Sequence, residues 1–210
     1  MKRSQHILLM FSFISFGFLA QPLQIKKNSG GLISLGARST MSAFNHGDFA
    51  NQGFGLGGQF RVQLAKRLNT DWFADYITGN SEDHISRTDG HIGWSVLYYL
   101  TKNETATIRP YLLMGHCFDY TRMVDDFDHS NYMERWSSAV QGGAGMHWNL
   151  TPRLDLSLVA QYMFHLGNDV HGERHETGVV EFHKEKGGAS LEGHLLFHVS
   201  INYKIADLWH

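Results

Sequence analysis

From Trp136 the chain reads WSSAVQGGAGMHWNLTPRLDLSLVAQYMF, and every second residue belongs to one of two sets. Trp136, Ser138, Val140, Gly142, Ala144, Met146 and Trp148 fall on one side, Ser137, Ala139, Gln141, Gly143, Gly145, His147 and Asn149 on the other. After Thr151-Pro152 the alternation restarts, with Leu154, Leu156, Leu158, Ala160, Tyr162 and Phe164 opposed to Asp155, Ser157, Val159, Gln161, Met163 and His165. A period of two marks β-strands with two unlike faces, and the Asn/Thr/Pro stretch between them is turn chemistry.

Eight such segments can be read, at about 30–41, 53–65, 71–79, 90–101, 107–122, 136–149, 153–165 and 190–205. In the fifth, an outward set of Leu112, Met114, Phe118 and Tyr120 carries His116 outward with it. The connections alternate in length. Those at 42–52, 80–89, 123–135 and 166–189 are long; those at 66–70, 102–106 and 150–152 are short. An up-and-down barrel in an outer membrane has short periplasmic turns and longer outer loops, and its strands need about 9–11 residues to cross. A soluble sandwich or lipocalin-like barrel would share the period, with its apolar face turned inward. Export, the alternation of loop length and the lack of a second core favour the membrane barrel. Trp72, Trp94, Tyr98, Tyr111, Trp136, Trp148, Tyr162 and Tyr203 fall mostly near strand ends, as an interfacial girdle requires. The expected fold is all-β: an eight-stranded antiparallel up-and-down transmembrane barrel behind a signal peptide.

Composition adds the address. Lys2 and Arg3 precede an apolar run from Ile7 to Ala20, the layout of a secretory leader. The expected organisation is a signal peptide at 1–20, an N-terminal tail at 21–29, the barrel at 30–205 and a C-terminal tail at 206–210. Loss of Lys2 and Arg3 would move the formal charge from −2 to −4, and nothing points to nucleic acid. The single cysteine, Cys117, excludes an internal disulfide. The mean hydropathy of −0.27 would suit a soluble protein, but a transmembrane barrel has the same average because half of each strand faces a polar lumen.

GLGGQFRVQL, VQGGAGMHWNL, TPRLDLSL and the closing HLLFHVSINYKI, together with the leader, resemble the small eight-stranded outer-membrane barrels of the OmpA-transmembrane, OmpX and OmpW-like group. The resemblance spans roughly 30–205 and rests on patterns. It implies residence in the outer membrane of a Gram-negative bacterium, contact with outer-membrane lipid and lipopolysaccharide, and handling by the outer-membrane assembly machinery. Such proteins usually end on an aromatic residue, whereas here a short tail follows Tyr203 and ends in His210.

A barrel of eight strands is just wide enough for its own side chains to fill, and buried charges must pair. Hairpin geometry suggests lumen pairs Arg61–Asp75 and His147–Asp155, and closure of the barrel suggests Arg38–Glu192. Fourteen histidines are present. In the long last loop, His171, Glu173, His175 and His183 form a candidate binding set, without a tight metal-ligand motif; no cofactor and no metal are expected. VVEFH alternates, so a hairpin can continue above the membrane and offer an edge to an extracellular protein. The expected function is non-enzymatic: a structural, surface-interaction or adhesion role through the outer loops. One alternative is OmpW-like passage of small hydrophobic molecules. The other is a lipid A deacylase-like enzyme, a family with a His and a Ser two residues later. His165 lies in a comparable place, but its partner position is Gly167, and a nucleophile needs its hydroxyl beside the base.

Overall fold

The computed structural model describes residues 30–44, 52–82, 84–103, 105–167, 170–174, 180–184 and 193–208. The signal-peptide and N-terminal-tail assignments therefore lie outside the described residues. Ten strands are present among those described: β1 Leu32–Phe44, β2 Gln52–Ala65, β3 Leu68–Glu82, β4 Ile85–Tyr99, β5 Ile108–Asp125, β6 Tyr132–Asn149, β7 Leu154–His165, β8 Val170–Arg174, β9 Val180–Lys184 and β10 Gly193–Asp207. Eight of them close an antiparallel barrel in the order β1-β10-β7-β6-β5-β4-β3-β2, and β8 and β9 form a separate hairpin.

The register fixes the geometry of the barrel. Following paired residues from Ser34 through Arg61, Asp71, Ser95, Gly115, Gln141, Met163 and His194 returns to β1 at Phe44, ten residues beyond the start. A shear of that size over eight strands, with about 3.3 Å per residue and 4.8 Å between strands, tilts the strands by about 40°.

The two faces obey opposite rules. Outward positions are apolar and exposed, including Leu56 at 74%, Met114 at 69% and Trp136 at 71%. Inward positions are buried and mostly polar: Arg38, Gln59, Arg61, Asp75, His91, Asp119, Gln141, Asp155, His165, His198 and Asn202 are all nearly inaccessible. A soluble barrel would reverse this. Only lipid makes the outer face favourable and the inner one necessary. Among the described strand positions, the first outward charges are Arg122 and Glu134, high on β5 and β6, which pair at 3.5 Å.

Two expected loops are strand instead. β3 and β4 run up to a connection of only Asp83 and His84, and β5 and β6 pair as far as Val124 and Tyr132. The stretches 80–89 and 123–135 are thus mostly ladder. Their outward residues are polar because they stand above the lipid, which erases the polar/apolar contrast that sequence reading depends on. His84, at the tip of the first of these hairpins, takes a positive φ of 73°. At the other end β10 continues to Asp207, paired with Leu32, so residues 206 and 207 belong to the barrel and not to a tail. The result is a slanted rim: a wall of β3–β6 rises above the tops of β1, β2, β7 and β10.

Candidate functional site: the filled lumen and the outer rim

Three tiers of side chains fill the tube. At the end with the short turns Arg61 Nη1 donates to Asp155 Oδ1 at 3.1 Å, with both side chains buried. Asn202 Nδ2 donates to the same oxygen at 3.0 Å, and Gln59 Nε2 donates to Asn202 Oδ1. The Tyr99 hydroxyl lies 2.9 Å from His147 Nδ1 and accepts from Asn69 at 2.9 Å, while the Arg109 guanidinium stacks 3.7 Å over its ring.

Half-way up, Arg38 Nε lies 2.9 Å from Asp75 Oδ1, Arg38 Nη2 is 2.9 Å from His198 Nδ1, and its guanidinium covers the Phe73 ring at 4.4 Å. Beside this cluster is an apolar plug of Phe73, Cys117, Ala139, Met163 and Leu196. Above the plug, Asp119 holds three partners: His91 Nε2 at 3.2 Å, Arg135 Nη2 at 3.0 Å and His165 Nδ1 at 3.2 Å. Arg87 forks onto Asp89 at 2.9 and 3.0 Å and reaches His194 Nε2 at 3.2 Å. In these two upper tiers Arg38, Arg87 and Arg135 each have an acid within reach, as burial demands.

The pairing differs from the hairpin expectation. Arg61 does not meet Asp75: the β2–β3 turn is only Lys66 and Arg67, and this sets Asp71 opposite Arg61 and Asp75 opposite Gly57. Asp75 goes to Arg38 across β2, and it does so because Gly57 has no side chain. A Cβ built there would collide with Asp75 Oδ1. Arg38 thus meets Asp75; Glu192, its expected partner, lies outside the described residues. His147 faces Ser157 while Asn149 faces Asp155, so His147 turns to Tyr99 and Asp155 takes Arg61 from across the lumen. His165, the histidine that resembled a deacylase base, points inward onto Asp119 and is fully buried; it is not at a lipid-facing surface.

A hairpin packs at the outer mouth. Ile85, Met123 and Val180 form a buried cluster joined by Met133 and Phe182, so the β8–β9 hairpin leans on the inner face of the tall wall. Asn131 Nδ2 donates to Val180 O at 2.9 Å and fastens it there. Of the candidate loop-binding set, β8 carries His171 and Glu173, and the backbone register sets His171 opposite His183. His183 Nε2 is 3.7 Å from Glu181, with both half exposed; His175 lies outside the described residues. Among the described residues no cluster of His, Cys, Asp and Glu has the arrangement of a metal site.

Sequence reasoning passed over the Asp119 centre altogether. Its members come from β4, β5, β6 and β7. The available signal was parity: Arg135 and His165 occupy the inward positions of strands whose outward sets were correctly assigned.

No family model and no curated protein matches the chain. Solved structures do. Neisserial surface protein A is similar with a TM-score of 0.55 at 13% identity, over 86% of this chain and 100% of that one. A major outer membrane protein from Thermus thermophilus gives 0.53 at 12%, over 82% and 99%. OprG from Pseudomonas aeruginosa gives 0.51 at 13%, over 85% and 97%. At such identities the likeness is one of fold: this chain has the closed eight-stranded antiparallel barrel of the small outer-membrane proteins.

Proposed function

We propose that this protein is an outer-membrane barrel of a Gram-negative bacterium with a sealed lumen, acting as a surface-interaction protein through its outer rim. The observation that carries the reading is the filling of the tube. Ion-paired tiers around Asp155, Arg38–Asp75 and Asp119 occupy the interior, with an apolar plug beside the middle one and a hairpin packed at the outer end. Interior side chains suffice to fill a barrel of this size. Passage of small hydrophobic molecules finds no support in such a lumen, whose inward set is largely charged and hydrogen-bonded.

The rim offers a surface for recognition. β7 ends at His165, paired with Ala139, so β6 from Tyr132 to Ser137 has no strand on that side among the described residues. This edge is the place where an extended segment of an extracellular protein would add as a further strand. Tyr132, exposed and above the girdle, flanks that edge.

Planar-bilayer recording tests the sealed lumen. The reconstituted protein should show no steady open state, and a stable single-channel current would overturn the reading. Replacing 168–189 by a short Gly-Ser turn tests the surface role. Heat-modifiable gel mobility should persist while attachment of cells to immobilised extracellular-matrix protein falls. Attachment equal to wild type would remove the loop from the function.

A further inference from the structure

His116 is the one histidine on the outward face of the barrel among the described residues. Its neighbours in the outward set, Met114 and Phe118, are 69% and 58% exposed, so it lies in the band that faces hydrocarbon. Imidazole Nε2 is 2.5 Å from Ser138 Oγ on β6, and the ring meets Phe118 edge-on at 4.9 Å. Polar side chains in a lipid-facing band are costly, and an intramembrane ionisable group marks a functional site by default.

The depth of the pair is set by the strands. Tyr120 and Trp136 pack with their rings tilted and 5.0 Å apart, and are taken as the outer girdle. Two residues along a strand tilted by about 40° change depth by about 5 Å. Ser138, two below Trp136, is therefore about 5 Å under the girdle, and His116, four below Tyr120, about 10 Å. That is the zone where acyl chains join their headgroups and begin to run inward.

A track leads down from there. Below Val140, β6 turns Gly142 and Ala144 outward, and β7 sets Ala160 opposite Ala144. A groove of about 450 Å³ opens at this point between Met146, Leu158, Phe197 and Val199, floored by Ala144 and Ala160. From Ser138 to Met146 the strand runs roughly 26 Å at 3.3 Å per residue, enough for an acyl chain laid against the wall.

Hydrogen bonding at the pair is incomplete. If Ser138 donates to Nε2, the ring proton is on Nδ1, and the described residues give Nδ1 no partner. An N–H directed into hydrocarbon lacks the acceptor that it needs. The lipid surrounding the barrel can supply one, as the carbonyl that joins an acyl chain to its headgroup.

We propose that the His116–Ser138 pair and the groove below it bind one acylated lipid of the outer leaflet, Nδ1–H donating to the acyl-linkage carbonyl while the chain lies over Ala144 and Ala160. The proposal rests on the membrane placement argued above. The test uses native mass spectrometry of the full-length folded protein with dipalmitoyl phosphatidylcholine and with its dihexadecyl ether analogue, which lacks both carbonyls. The ester lipid should be retained about ten-fold better than the ether, the worth of about one hydrogen bond. His116→Leu and Ser138→Ala should close that gap while keeping heat-modifiable mobility. Equal retention of ester and ether by the unmodified protein overturns the site without reference to any variant, and so does a gap that survives in His116→Leu. Appearance of lysolipid also overturns it, since the pair would then be hydrolytic. Retention of neither lipid also overturns the site, whereas failure of the folded protein to co-float with phosphatidylcholine vesicles would overturn the membrane placement itself.

Discussion

The two ends of the lumen solve one problem with different chemistry. At the periplasmic end, Asp155 is held by one arginine and one amide, with tyrosine hydroxyls and a stacked arginine around them. At the outer end, Asp119 is held by one arginine and two histidines, with a third histidine ring 4.7 Å from His165. Arginine–aspartate pairs are present at both ends; the shell around them is amide and tyrosine below and imidazole above. Between the two ends lie the Arg38–Asp75 pair and, beside it, the apolar plug. Net ion pairing is a shared requirement, but the identity of the donor is a local choice, free to follow the needs of each membrane face.

That comparison can be broken at several points. The largest effect is expected for Asp119→Ala, which strands Arg135 and two histidines in a buried tier. Breaking a buried pair by removing one partner costs about 3–5 kcal/mol, so the urea midpoint in detergent should drop clearly. A drop smaller than that of the matching Asp155→Ala would mean that the outer tier is the less committed of the two. Next is Gly57→Val. Its side chain would occupy the space through which Arg38 reaches Asp75. Overpacking of this kind costs about 1–3 kcal/mol, and Gly57→Val combined with Asp75→Ala should be less damaging than the separate losses added together.

Tyr99→Phe should be milder. It takes one partner from His147 and one from Asn69, and buried groups left unsatisfied cost about 1–3 kcal/mol; the lower end is expected because the stacking on Arg109 survives. The smallest thermodynamic effect is expected for Phe182→Ala in the hairpin. The unfolding midpoint should stay within about 1 kcal/mol of wild type, as for a partly buried side chain outside the main core. Cleavage by trypsin in the 170–184 hairpin should nevertheless accelerate. Unchanged proteolysis would show that contacts other than the Ile85–Met123–Val180 cluster hold the cap.

Strand faces were legible because each outward set is a run of apolar residues that lipid selects: Phe54, Leu56, Phe60 and Val62 on β2, or Leu154 to Phe164 on β7. Even His116, discordant with its neighbours, followed the parity outward. The tall ends of β3–β6 were not legible, since above the lipid both faces are polar and the period loses its contrast. Partner choice in the lumen was less legible still. A hairpin rule sees only adjacent strands, whereas Arg61–Asp155 crosses the tube and Arg38–Asp75 skips a strand over Gly57. Those pairings depend on the ten-residue shear and a two-residue turn, neither of which is written in any one segment. The Asp119 centre draws on four strands, so parity turns its members inward without bringing them together.

Cys117 has no solvent exposure and lies in the apolar plug. As the chain's single thiol, it gives the protein a built-in reporter of its own breathing. A membrane-permeant maleimide reaches the sulfur from either face no faster than the packed interior parts to admit it. The labelling rate therefore reads the opening frequency of a closed barrel in its native bilayer, with no engineered probe and no denaturant.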